Sequence, residues 1–118
     1  MPTDTLVSEQ LALVTRECIP CRGGVAPLNE VQVAPLLAQL QGWSIVDGHH
    51  LEKTFTFEDF ARALKFVNSV GEVAEKEGHH PDIFLTWGIV RLSLWTHKVD
   101  GLTESDFILA AKCDAIRI

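Results

Sequence analysis

The stretch WSIVDGHHLEKTFTF, residues 43–57, decides the fold. Trp43 to Val46 favours extended backbone, Asp47-Gly48 is a strong signal for a tight antiparallel turn, and Leu51 to Phe57 reads as the return strand. In the return strand Leu51, Lys53, Phe55 and Phe57 point one way, and Glu52, Thr54 and Thr56 the other. A second hairpin follows in HHPDIFLTWGIVRLSLWTH, residues 79–97. Asp82 to Trp87 is one strand, Gly88 the turn, and Val90 to His97 the other. Val90, Leu92, Leu94 and Thr96 share one face, and Arg91, Ser93, Trp95 and His97 the opposite one.

Helices fill the intervals. Asn29 is a good N-cap, Glu30 suits a first turn, and Leu36, Leu37 and Leu40 supply an apolar side. Pro35 is awkward there, so this helix is expected to start late or to kink. Thr56-Phe57-Glu58-Asp59 resembles a capping box and opens a helix running to Glu77. Its apolar positions are Phe60, Ala63, Leu64, Val67, Val70, Gly71 and Ala74, at spacings of three and four. Gly78 suits its C-terminal cap. Thr103-Glu104-Ser105-Asp106 caps a last helix with Phe107, Ala110, Ala111 and Ala115 as its buried stripe. The predicted order is α-β-β-α-β-β-α. It implies an α+β fold, a four-stranded antiparallel sheet with helices packed on one face.

The 118 residues, 47% hydrophobic and 22% charged, fit a single domain. Residues 1–27 read as a partly irregular N-terminal arm, with Leu6, Leu11 and Val14 lining a short helix before Pro20, Gly23, Gly24 and Pro27 interrupt. Residues 28–118 form the domain. A net charge of −6 and the lack of any basic run argue against nucleic acid as a partner. No apolar run is long enough for a membrane helix, and Met1 to Thr5 lacks the features of a secretory signal, so a cytoplasmic location is expected. Cys18, Cys21 and Cys113 are an odd set with no disulfide framework. The Cys18-Ile19-Pro20-Cys21 pair, with a single further cysteine, falls short of a zinc site and is read as structural.

Five histidines carry the candidate chemistry: His49, His50, His79, His80 and His97. His79 and His80 stand at the corner between the long helix and a strand, since Pro81 cannot continue a helix. His97 ends the partner strand, and antiparallel pairing brings it back towards that corner. Glu75 lies one turn before His79 and could orient an imidazole, although a lone helix carboxylate is more often only solvated. Imidazoles exchange protons near neutral pH, so several around one pocket supply an acid and a base together. A dehydration needs both, one to protonate the departing hydroxyl and one to take a proton from the neighbouring atom. Three imidazoles could also hold catalytic zinc, but no HExxH spacing is present. His49 and His50 follow the Asp47-Gly48 turn and read as solvent-exposed.

The run Glu75-Lys76-Glu77-Gly78-His79-His80-Pro81, then Thr96-His97, Gly101-Leu102-Thr103 and Asp106, resembles the pterin-4a-carbinolamine dehydratase family. Gly42-Trp43 and Phe55-Thr56-Phe57-Glu58-Asp59-Phe60 add to the likeness, which covers residues 28–115. The resemblance implies dehydration of 4a-hydroxytetrahydropterin to quinonoid dihydropterin, in support of tetrahydrobiopterin recycling for aromatic amino-acid hydroxylases. It implies no metal and no cofactor. By this likeness His79 and His97 would be acid/base groups and His80 would bind and polarise the pterin. Glu75, Trp43, Pro81, Thr96 and Asp106 would complete the substrate-binding set. The family implies a homodimer or homotetramer, and it also contains members that act as protein-interaction, assembly or coactivator modules. Two departures stand out: Gly78 replaces an acidic residue, and Trp95 occupies a position that is small in other members.

Overall fold

A computed structural model describes residues 13–18 and 25–118. The arm residues Leu6, Leu11, Pro20, Cys21, Gly23 and Gly24 lie outside the described residues. The elements are α1 (Glu30–Leu37), β1 (Ser44–Val46), β2 (His50–Thr56), α2 (Phe60–Glu77), β3 (Asp82–Thr86), β4 (Ile89–Leu94), a 3-10 turn (His97–Val99) and α3 (Glu104–Asp114). The four strands form one antiparallel sheet in the order β1-β2-β4-β3. The architecture is the expected α+β one.

Strand alternation separates the two faces of the sheet. Leu51 pairs with Leu94, Phe55 with Val90 and Ile83 with Leu92, and Leu51, Val90, Leu92 and Leu94 are buried. The other face carries Glu52, Thr54, Ser93, Arg91 and Phe84, with the Arg91 guanidinium 4.7 Å from the centre of the Phe84 ring. Burial of each large core side chain stabilises by about 1.5–3 kcal/mol, so a one-residue slip of register would expose the whole set.

The long helix packs on Ala63, Val70 and Ala74 as its pattern suggests, but the buried stripe takes in Phe66 instead of Phe60 and Leu64. Ala63, Phe66, Val70 and Ala74 are buried, whereas Phe60 and Leu64 are 45% and 40% exposed. Phe66 turns the helix: its ring lies 4.7 Å from that of Phe55 and 5.1 Å from that of Phe57, both in or just after β2. Asp59, not Thr56, is the N-cap, with a carboxylate oxygen accepting the Arg62 N–H at 2.8 Å.

The other helices differ in detail from their patterns. Helix α1 begins at Glu30 and keeps Pro35 near its end; Asn29 and Gln32 close a capping box, and Val33 is its buried residue. Helix α3 is buried nearly all round, over Ser105 to Ala110 and at Cys113, while Ala115 is exposed. A helix covered on every side must have cover from more than the sheet. Part of that cover comes from the arm. Leu13 is 2% exposed and joins the core, Lys112 donates to the Val14 carbonyl at 3.0 Å, and Arg16 pairs with Glu104. Leu13, Val14 and Arg16 of the arm therefore pack against the core and α3.

Candidate active site

Helix α2 ends at Gly78, whose φ of +65° is the left-handed conformation that only glycine adopts without cost. The His79 N–H bonds back to the Ala74 carbonyl at 3.2 Å, and Pro81 then hands the chain to β3. This sharp exit puts two consecutive imidazoles at one end of the sheet. Asp82 pairs with Ser93, so Thr96 and His97 leave β4 at that same end.

His79 meets the buried carboxylate of Asp106. Its Nε2 lies 2.6 Å from Asp106 Oδ1, and Asp106 is 0% exposed. The second carboxylate oxygen accepts the Thr96 hydroxyl and the Thr103 N–H, both at 2.9 Å. Thr103 Oγ1 lies 2.9 Å from Thr96 Oγ1. The Thr96 proton is committed to Asp106, so Thr103 donates to Thr96. A carboxylate only accepts, so the His79 proton sits on Nε2. A neutral His79 then carries its lone pair on Nδ1. The burial of Asp106 and Thr96 shows how they reach the site. Asp106 holds His79 in orientation and tautomer, and the Thr96 hydroxyl holds Asp106.

His80 is matched with the other carboxylate. Its Nε2 lies 2.5 Å from Glu75 Oε2, and both side chains are largely exposed. The spacing suggested Glu75 beneath His79, but the left-handed turn at Gly78 swings the chain so that His80 receives it. An exposed pair adds little stability. It does fix Nε2 as the protonated nitrogen and leaves Nδ1 of a neutral His80 with the lone pair. The corner thus presents two imidazoles, each oriented by its own carboxylate.

His97 belongs to a neighbouring group. Strand β4 stops at Leu94, short of the expected end, because Thr96 and Gly101 bridge to one another and reverse the chain through the 3-10 turn. The exposed His97 ring lies 4.5 Å from that of Trp95, which in turn lies 5.3 Å from His49 and 5.8 Å from His50. His49 and His50 are half-buried, not free in solvent as their sequence position implied. The two groups meet at Thr96, whose hydroxyl serves Asp106 while Trp95 and His97 flank it in sequence.

Trp43 lies in the core. It is 7% exposed, donates its indole N–H to Asp114 Oδ2 at 2.9 Å, and meets the edge of Phe55. Lys53 completes that cluster, bonding Asp114 Oδ1 at 2.7 Å. One group near the histidine corner left no mark in the sequence pattern. The Glu77 side chain, 6% exposed, accepts the Cys18 N–H at 3.0 Å and pairs with Lys112 at 3.6 Å. Cys18 Sγ lies 3.5 Å from the Ser105 carbonyl. Burial, reinforced by the Glu77 charge, pushes the Cys18 thiol up to about 11, and burial pushes Cys113 up to about 12. Both are therefore thiols at neutral pH. Among the described residues no cluster of three or more His, Cys, Asp or Glu could hold a metal ion. No helix among them is long and apolar enough to cross a membrane.

The chain is similar to known proteins over most of its length. The family profile described as pterin 4 alpha carbinolamine dehydratase matches residues 26–116. A protein of Rubrobacter xylanophilus, provisionally named as such a dehydratase, is 53% identical over 104 residues, 88% of this chain and 97% of its own. One from Alkaliphilus metalliredigens, named likewise, is 48% identical over 103 residues, 86% of this chain and 93% of its own. The crystal structure of a transcriptional coactivator/pterin dehydratase from Brucella melitensis superposes with a TM-score of 0.72 at 37% identity, over 75% of this chain and 96% of that one. A pterin dehydratase-like protein described as a RuBisCO assembly factor in the alpha-carboxysome superposes at 0.55 with 25% identity, over 64% and 88%. With a family match over most of its length and relatives near half identical, the chain belongs to the pterin-4-alpha-carbinolamine dehydratase family.

Proposed function

We propose that the chain removes water from a 4a-hydroxytetrahydropterin by acid/base catalysis at the histidine corner. The observation that carries the reading is the His79–Asp106 pair, a half-buried imidazole whose Nε2 is bonded to a fully buried carboxylate. In the reaction the C4a–O bond breaks, the hydroxyl leaves as water with a proton from an acid, and N5 gives its proton to a base as the C4a=N5 bond forms. Neutral His79, with its lone pair on Nδ1, is the base. His97, which directly follows the buried Thr96 in sequence, supplies the proton, and His80, oriented by Glu75, binds and polarises the pterin. Each positioned acid or base contributes about 10²–10⁴-fold in rate. The product is quinonoid dihydropterin, which suits recycling of a tetrahydropterin cofactor in the cytoplasm.

Self-association fits the surface. Strand β3 is an edge of the sheet, and Phe84 and Trp87, in it and just after it, are 48% and 67% exposed. Exposed apolar side chains beside a free strand edge suit contact with another chain, here a second copy in a homodimer or homotetramer. The same surface supports the second reading, an assembly or coactivator module, which the Brucella and carboxysomal neighbours' descriptions favour. Stopped-flow absorbance with freshly generated 4a-hydroxytetrahydropterin separates them. Substoichiometric protein should speed dehydration well above the spontaneous rate. No acceleration by folded protein would leave the module reading.

A further inference from the structure

We propose that His49 is a positioning residue for His97, acting through Asp100 and Trp95; this rests on the reading of His97 as an acid/base group. Asp100 closes the 3-10 turn that begins at His97, with its N–H bonded to the His97 carbonyl at 3.2 Å. It does so at φ 51°, a left-handed conformation that ordinary residues adopt at a cost of about 1–2 kcal/mol. The side chain of Asp100 is otherwise in solvent, and His49 Nε2 meets its Oδ1 at 2.8 Å. The tight Asp47-Gly48 turn, both residues at positive φ, sends His49 to that position.

The tautomers follow in order. Asp100 can only accept, so His49 is protonated on Nε2 and its neutral ring has a lone pair on Nδ1. His50 Nδ1 lies 3.1 Å from that atom, so one of the two rings donates to the other, and His50 Nε2 lies 3.9 Å from Glu52 Oε2. Both rings then rest against Trp95, at 5.3 and 5.8 Å, and Trp95 lies on His97 at 4.5 Å with the planes 32° apart. Two separate links therefore reach His97. Asp100 fixes the backbone turn that carries it, and Trp95 covers its ring. Trp95 is not among the side chains packed on the hydrophobic core, so core packing does not account for its stack with the histidines. An exposed side chain that must meet a substrate atom gains from having its rotamers reduced in this way, since a misplacement near 1 Å can cost about 10²-fold.

The test compares His49→Ala, His49→Gln and Asp100→Gly with wild type, alone and in a His97→Ala background. Glycine keeps the left-handed turn and loses the side-chain link, while glutamine can still donate to Asp100. The expected result is a fall in kcat of about tenfold for His49→Ala and Asp100→Gly with KM within about twofold, and recovery to within about threefold for His49→Gln. In the His97→Ala background the same changes should cost nothing further. A readout without turnover is the His97 Hε1 resonance, which the Trp95 ring current displaces and which should relax towards its free-histidine position in His49→Ala. Full kcat, an unmoved resonance, or an equal loss in the His97→Ala background would each overturn the proposal. Unchanged turnover in His97→Ala alone would instead refute the catalytic reading of His97, while the resonance still reports whether His49 holds the ring.

Discussion

Replacing Asp106 with asparagine should separate what the buried carboxylate does for stability from what it does for catalysis. Asp106 accepts three hydrogen bonds, one from His79 on Oδ1 and two from Thr96 and Thr103 on Oδ2. Asparagine has one carbonyl oxygen and one NH₂. If the oxygen takes the Oδ2 place, both threonine bonds survive and the NH₂ faces His79. His79 must then accept at Nε2 and carry its proton on Nδ1, the reverse of the wild-type tautomer. The fold loses roughly one charge-assisted bond, about 1.5–3 kcal/mol. At about 4 °C per kcal/mol for a chain of this size, Tm should fall by about 6–12 °C. Turnover should suffer far more, because the lone pair needed to take the substrate proton now points at the amide. The loss should be about 10²–10⁴-fold, as for the corresponding change in a Ser-His-Asp triad, where the wrong tautomer costs about 10⁴. Thermal melting, stopped-flow turnover and ¹⁵N resonances of His79 measure the three quantities. A folded Asp106→Asn protein with most of its activity, or with His79 still protonated on Nε2, would refute the reasoning.

Further predictions follow from the same geometry. Lys112→Met leaves the buried Glu77 without its cation and should cost about 3 kcal/mol in urea unfolding; Lys112→Met with Glu77→Gln should recover most of that. Gly78→Ala meets no neighbouring atom, so its cost is the left-handed strain alone, about 1–2 kcal/mol by the same melt. In a Cys21→Ser background, Cys18 should react with iodoacetamide at neutral pH about a hundredfold more slowly than a thiol of pKa 9.0, since its own is about 11. The rate should climb as pH rises towards that value; fast labelling at pH 7.5 in folded protein would contradict the burial of this thiol.

The two hairpins were legible because their signals are local. Asp47-Gly48 and Gly88 punctuate runs of alternating residues, and the observed register keeps that alternation. The histidine corner was legible for the same reason: Gly78 and Pro81 bracket His79-His80 and admit few conformations. Tertiary choices were less readable. Phe60 and Phe66 both fit a helical stripe, and only the position of Phe55 and Phe57 across the interface selects Phe66. Glu75 is one turn from His79 by count, yet the left-handed residue between them gives it to His80. Asp106 was marked by likeness to relatives. Its partners Thr96 and Thr103 lie on either side of the chain reversal that the Thr96–Gly101 bridge closes, a contact that no local pattern announces. The Asp100–His49–His50–Trp95 array spans separate segments, and periodicity within any one of them says nothing about it.

The central claim is that histidines, led by His79 on its buried carboxylate, perform the dehydration. The most direct measurement is the rate of 4a-hydroxytetrahydropterin dehydration in excess chelator, for wild type and for His79→Ala of verified fold. The account predicts full wild-type turnover under chelation and a loss of about 10²–10⁴-fold in the variant. Loss of wild-type activity to the chelator, or undiminished turnover in His79→Ala, would contradict it.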